Sequence, residues 1–505
     1  MKRKTKFIYN GLLLSVVGLA MRGTQLLFGA YIARKLGADG VGMNTLVMMV
    51  YAFALTFATS GISLTVTRLV ATSVGEGREG ECSGILKGAF LYATIFGTLS
   101  NVGLFLLSGV IGNTFIGETS VVTPLHILSF SLLPSAFTSV ISGYFIAQRR
   151  VTINAFTQVT GQLLRIAITV LLLTKTKHDA ISMLSLGVTV SEIITLVILL
   201  PPFIAERRRS FNGHGVAFSG VLKMALPLGI SAYIRSALLT LEHNLIPKSL
   251  IRHGENQTEA LSSYGYLHGM ALPFILYPMT PLTSFSGLLV PEFAEEKGRS
   301  NSERMSQIAN QALNTTLSYA VCTSMLILLF AREFGYTFYA SWEAGKYIAM
   351  LAPVIPIMYL DHVADAILKG IGEHIYSMWV NVADAVLSII LVVTLIPIMG
   401  IGGYAVVIIV MEVFNFGFSV ARLRLRIKFS IRFISAMLLP AISMLVASII
   451  SRLAINMSVS GTTAGWLLLR IVFVICSYIA TRVAFSILFS KDERKNRKQL
   501  IINCK

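Results

Sequence analysis

The sequence predicts an all-α integral membrane protein with about fourteen transmembrane helices, on three observations. Hydrophobic residues fill 54% of the 505 positions and charged residues only 13%, where a soluble domain carries roughly 25% charged residues. Apolar runs able to cross a hydrocarbon layer of about 30 Å recur from end to end. No connection between them is long enough to fold as a catalytic domain, so the chemistry of the chain belongs inside the membrane.

In order, apolar segments bounded by loop chemistry fall at 7–36, 41–70, 84–111, 121–147, 151–173, 180–205, 218–246, 260–290, 305–331, 347–368, 376–399, 404–421, 431–452 and 466–489. Several exceed the roughly 20 residues that a span needs, so tilt or protrusion is expected. Segment 1 follows the basic stretch Met1–Lys6 as a secretory signal would. Its apolar run continues to about Leu36, well past a signal's core of about 7–15 residues, and reads as a first span. Segment 4 ends at Arg149 and Arg150, and segment 6 at Arg207–Arg209. Segment 12 ends at Arg422, Arg424, Arg426 and Lys428, and segment 14 leads into a basic tail around Lys491–Lys498. These are alternate loops; the others hold fewer cations, with Lys175, Lys177, Lys248 and Arg252 as exceptions. The positive-inside pattern puts both termini in the cytoplasm. It also accounts for the net charge of +18 and argues against a nucleic-acid partner.

Segment 7 contains Pro227, segment 8 Pro273, Pro278 and Pro281, and segment 10 Pro353 and Pro356. Proline frees backbone carbonyls and bends helices, so bending is expected in segment 8. Proline is also common in membrane helices without a mechanical duty, and both readings stand. Cys82, Cys322, Cys476 and Cys504 are scattered without metal-ligand spacing and read as unpaired thiols.

Residues 1–210 hold segments 1–6 and residues 211–428 hold segments 7–12. Residues 429–490 add two C-terminal helices, and 491–505 form the tail. Faint marks repeat between the first two blocks. Arg22 precedes Lys35 by thirteen residues, and Arg235 precedes Lys248 by the same interval. Ser60-Gly61 answers to Ser286-Gly287, and Pro134 to Pro356. Two six-helix lobes in parallel repeat imply a central cavity between them.

Ionisable groups at mid-depth are the most informative residues. Arg22, Arg165, Arg235, Glu192, Asp384 and Glu412 lie near the centres of their segments, and Asp361 and Asp365 lie within segment 10. A charge at the bilayer centre costs about 3 kcal/mol or more, so such residues face a cavity or a partner. Guanidinium groups suit phosphate by their fork geometry, so Arg22, Arg165 and Arg235 are candidates for binding an anion. Pairing with acids such as Glu192 is the alternative. Glu242, Asn381, Asp384 and Glu412 offer oxygens for a coupling Na⁺ or a relayed H⁺, with structural salt bridging as the alternative. Asn381 and Asp384, three apart, share a helix face. His268 and His362 read as packed or polar-lining residues, because no soft ligands accompany them. Neither a catalytic group nor a resident cofactor is expected.

The run Arg22-Gly23-Thr24-Gln25, continuing to Ile32-Ala33-Arg34-Lys35-Leu36-Gly37-Ala38, resembles the first helix of the multidrug/oligosaccharidyl-lipid/polysaccharide (MOP) flippase superfamily. Ser60-Gly61-Ile62, Thr67-Arg68-Leu69, Gln158-Val159 with Gln162 and Arg165, Leu241-Glu242, Val290-Pro291-Glu292 and Gly400-Ile401-Gly402-Gly403-Tyr404 extend the resemblance over nearly the whole chain. It is similar to the stage V sporulation protein B branch, near the lipid II flippases. The resemblance implies alternating access, a polyprenyl-pyrophosphate-linked sugar as cargo, and a groove for its tail formed by segments 13 and 14. It carries Arg22 and Arg34 onto substrate-binding positions of helix 1, puts His268 beside an arginine position early in helix 8, and implies a sodium site at Glu242, Asn381 and Asp384. Phe28, Ala54-Leu55-Thr56 and Leu267-His268 stand where lipid II flippases are basic, so the expected cavity is less basic than theirs.

The function expected is flipping of a peptidoglycan or polysaccharide precursor in a bacterial cytoplasmic membrane, with membrane lipid and envelope-synthesis proteins as partners. A cation-coupled exporter of drugs or metabolites is the rival. A membrane-embedded glycosyltransferase is disfavoured by the short loops, and a passive scaffold by the arginines at mid-depth.

Overall fold

A backbone in hydrocarbon must satisfy its own hydrogen bonds, so apolar spans fold as helices. The computed structural model describes residues 2–148, 150–175, 179–207, 218–454 and 465–481, and holds helices and no strand among them. Arg149, Lys177, Arg208, Arg209, Lys491–Lys498, Cys504 and the expected boundaries at 210/211 and 490/491 lie outside the described residues.

The spans are α1 (2–36), α2 (38–75), α3 (Cys82–Ile116), α4 (Val122–Ala147), α5 (Val151–Lys175), α6 (Ala180–Arg207) and α7 (Phe218–His253). They continue as α8 (Gln257–Gly298), α9 (Ser302–Leu329), α10 (Trp342–Gly370), α11 (374–399), α12 (401–426), α13 (Ile434–Ser451) and α14 (Gly465–Thr481). Divided at Gly37 and Gly400, the described residues hold fourteen apolar helical segments, in broad agreement with the expected number. Two of the boundaries are glycine turns without a loop. Gly37 adopts φ 75° and ψ 179° between α1 and α2, and Gly400 adopts φ 60° and ψ −144° between α11 and α12. Only glycine occupies those regions without strain.

The helices group into two compact units. The first comprises Met1–Phe28, Lys35–Gly265 and Asn381–Tyr404. Its centre is α4, which packs against α2, α3 and α6 and buries Leu125, Leu128, Leu132, Val140 and Ile141 completely. Helix α7 joins this unit through α2 and α3. The second comprises Gly29–Arg34, Tyr266–Val380 and Ala405–Lys505. Its core gathers Phe293 from α8, Leu313 from α9, Ile367 from α10, Leu423 from α12 and Ala436 from α13.

The two Ser-Gly pairs are conformationally unlike. Gly61 breaks α2 with φ 79°, whereas Gly287 sits inside a regular helical stretch of α8.

The prolines do make α8 irregular. It passes through a π turn at Gly265–Ala271, a short α segment at Leu272–Leu276 and a 3₁₀ turn at Tyr277–Met279 before Thr280–Gly298. Such turns leave carbonyls without their usual partners. Three tyrosines supply replacements: Tyr339 donates to Met270 O at 3.0 Å, Tyr359 to Ile275 O at 2.7 Å and Tyr319 to Pro278 O at 2.7 Å. The irregular stretch is therefore held by hydrogen bonds from α9, from the short helix Ala331–Tyr339 and from α10.

Candidate functional site

Arg22 on α1 and Arg235 on α7 are both exposed in the first unit. Among the described residues neither takes part in an ion pair. Arg235 owes its direction to Tyr233. That ring packs on Phe57 with centroids 5.1 Å apart, and its hydroxyl meets Tyr92 Oη at 3.2 Å. A residue two positions further is turned about 200° round the helix, so anchoring Tyr233 on α2 and α3 points Arg235 away from them.

Beside Arg22, Gln25 Nε2 donates to Gln162 Oε1 at 3.3 Å and links α1 to α5. Arg165 follows Gln162 by three residues and is half-buried, within electrostatic range of Tyr51 and Glu192. Around it runs a polar network: Ser131 donates to Tyr51 Oη at 2.8 Å, and Ser135 to Glu192 Oε2 at 3.1 Å. Four helices of the first unit meet in this set.

Arg34 is occupied differently. Its guanidinium donates to Phe338 O at 2.8 Å and to Thr337 O. These carbonyls close the short helix Ala331–Tyr339, whose C-terminal end attracts a cation. His268 is half-buried within the π turn of α8.

The acidic group divides between the units. Glu242 on α7 is 8% exposed and accepts from Ser388 Oγ at 2.6 Å, which ties α7 to α11. Asn381, Asp384 and Ser388 follow the i, i+3, i+7 spacing of one helix face, so the three form a polar stripe on α11. Ser388 is missing from the sequence reading although the same spacing extends to it. Next to Glu242, His243 Nδ1 meets Tyr264 Oη at 2.8 Å. Glu412, on α12, belongs to the second unit and is half-buried. Asp361 accepts from Ser419 at 2.9 Å and joins α10 to α12, while Asp365 pairs with Lys369 at 2.5 Å.

The turn between α10 and α11 holds a further ion cluster that sequence reasoning missed. Glu373 accepts from Arg422 Nη2 at 2.8 Å and from Arg426 Nε at 2.7 Å, and Arg422 lies over the Tyr376 ring, 5.0 Å from its centroid. The bonds from Arg422, together with the charge of Arg426, hold the Glu373 carboxyl below its ordinary range. A depressed carboxyl binds its proton more weakly when folded, so its contribution is complete above the unfolded value of about 4.3 and fades as pH falls through the folded one. Glu373→Gln is expected to lower the unfolding midpoint by roughly 1–2 °C at pH 7. That gap should close below about pH 4 in a thermal melt of the detergent-solubilised protein.

Fourteen apolar segments carrying arginines and carboxylates inside the spans define a multi-pass membrane transporter. Residues 7–295 match the family described as Polysaccharide biosynthesis protein, and residues 254–394 match MatE. The chain belongs to the polysaccharide biosynthesis protein family, within the MOP flippase superfamily. It is 24% identical over 423 residues to stage V sporulation protein B of Bacillus subtilis (strain 168), covering 80% of this chain and 81% of that one. Sporulation protein YkvU of the same organism is 22% identical over 378 residues, covering 73% and 83%. Among solved structures, a lipid II flippase MurJ in an inward closed conformation aligns with TM-score 0.71 at 16% identity, over 97% of this chain and 99% of that one. An inward-facing multidrug resistance MATE family transporter aligns with TM-score 0.65 at 14% identity, over 81% and 98%.

Proposed function

We propose that the chain is a flippase that carries a polyprenyl-pyrophosphate-linked sugar, a peptidoglycan or polysaccharide precursor, across the bacterial cytoplasmic membrane by alternating access. The observation that carries this reading is the extent of the likeness to the lipid II flippase, which leaves almost nothing of either chain unmatched. The multidrug transporter is matched over 98% of its own length yet reaches only 81% of this chain. A surplus of that size suits an added helix pair, α13 and α14, serving a polyprenyl tail.

In this reading Arg22 and Arg235 bind the pyrophosphate, with Arg34, Arg165 and His268 as further substrate contacts. Glu242, Asn381, Asp384 and Glu412 supply oxygens to a coupling Na⁺ or relay H⁺. Both termini lie in the cytoplasm, where envelope-synthesis proteins deliver the cargo. The second reading, a cation-coupled exporter of drugs or metabolites, draws support from the MatE match over residues 254–394.

Reconstitution into liposomes with labelled lipid-linked sugars separates the two. Lipid II and other polyprenyl-pyrophosphate glycans are compared as cargo, in sodium and then in potassium, at several pH values. Flipping of at least one glycan, accelerated by a sodium or proton gradient, is expected. Export of cationic drugs with no flipping of any glycan would overturn the proposal, and indifference to cation and pH would remove the coupling role.

A further inference from the structure

The segment joining α12 to α13 is held extended by two asparagines. Asn310 and Asn314 stand one turn apart on α9. Asn310 Oδ1 accepts from Ser430 N at 2.6 Å, Asn314 Nδ2 donates to Ser430 O at 3.0 Å, and Asn314 Oδ1 accepts from Arg432 N at 2.7 Å. An extended chain sends alternate side chains to opposite sides. Ile427, Phe429 and Ile431 accordingly pack on the core of the second unit, while Lys428, Ser430 and Arg432 are exposed.

Arg424, in the last turn of α12, is exposed as well and lies over the Phe429 ring, 6.0 Å from its centroid. Among the described residues, Arg424, Lys428 and Arg432 take part in no ion pair, unlike Arg426, which meets Glu373. Leu425, Phe433 and Ile434 flank these cations and are 77%, 54% and 67% exposed. Insertion bias accounts for the number of cations here but not for their display on a bonded backbone.

Uncompensated cations beside exposed apolar side chains, where one span ends and the next begins, match the chemistry of an anionic lipid at the membrane–water boundary. Its phosphate suits the cations, and its glycerol and first acyl carbons suit the apolar groups. We propose that residues 424–434 form a binding site for the headgroup of an anionic membrane phospholipid. The asparagine bonds set the geometry before the lipid arrives, so little ordering entropy is lost on binding.

The test uses the full chain in a neutral detergent. It is titrated with phosphatidylglycerol, with phosphatidylcholine of the same acyl chains, and with inorganic pyrophosphate, and bound molecules are counted by native mass spectrometry. Phosphatidylglycerol is expected to bind at least about tenfold more tightly than phosphatidylcholine, each cation near an anionic surface contributing a factor of roughly five. Arg424→Gln, Lys428→Gln and Arg432→Gln should each cost about fivefold and together abolish the preference. Lys346→Gln, which removes a cation paired elsewhere with Glu343, should leave it intact. Equal binding of the two lipids by the wild type, or a preference that survives all three substitutions, overturns the proposal. Pyrophosphate binding as tight as that of phosphatidylglycerol, lost with the same substitutions, overturns it in favour of a free-phosphate site. If the triple variant fails to fold, the single substitutions decide the matter, since three folded single variants that all keep the full preference overturn the proposal.

Discussion

Arg22→Ala is expected to slow flipping of a polyprenyl-pyrophosphate glycan by roughly a hundredfold, and Arg235→Ala by about as much. A bidentate guanidinium–phosphate contact is worth about 2–3 kcal/mol, and about 2.7 kcal/mol corresponds to two powers of ten in rate. Both side chains are exposed, and neither makes an ion pair among the described residues. Their removal therefore strands no buried acid, and the change in stability should stay within about 0.5 kcal/mol. Initial rates in liposomes, normalised to inserted protein, are the measurement. Lysine at either position keeps the charge without the fork and should recover part of the rate. If both alanine variants flip at the wild-type rate, these arginines do not bind cargo.

The second large effect falls on stability. Gly42 at the start of α2 and Gly265 on α8 bring two backbones of the first unit together. A Cβ on Gly42 would lie 2.1 Å from Leu261 O, and one on Gly265 would lie 2.0 Å from Ala38 O. No side-chain rearrangement relieves a clash with backbone, so the helices must separate. Gly42→Ala and Gly265→Ala are each expected to destabilise the protein by about 3 kcal/mol or more. Gly287→Ala serves as the contrast, because its Cβ would enter open space in a helix that gains roughly 0.5–1 kcal/mol from the exchange. Unfolding midpoints in one detergent compare the three. A Gly42→Ala midpoint equal to that of Gly287→Ala would show that the contact is not close.

Much of the architecture was legible because its signals are local. Apolar runs of span length, interrupted by Arg150, by Arg207 and by the cations from Arg422 onward, predicted the helices. The three prolines of α8 predicted its irregularity, and the structure adds where the freed carbonyls go. The partners Tyr319, Tyr339 and Tyr359 are 41–84 residues away in sequence, so no pattern within one helix identifies them. Arg34 was legible as a cation in an apolar helix, but its hold on Thr337 and Phe338 crosses some three hundred residues. Ser388 stood within reach of a periodicity argument, one turn beyond Asp384, and only its bond to Glu242 distinguishes it from the many serines of the spans.

The sequence by itself determined the membrane class and the approximate number of spans, whereas the turns at Gly37 and Gly400 came from the structure. Class and number follow from residue hydropathy, a property that each short stretch carries without help from the rest. Only the tertiary structure decided which polar groups are already engaged. Arg34 caps a helix, Glu373 draws in Arg422 and Arg426, and Asn310 and Asn314 hold the segment before α13. Arg22 and Arg235, for their part, remain exposed. The reason is that a hydrogen bond depends on a few tenths of an ångström between atoms from distant parts of the chain, and packing alone sets that distance.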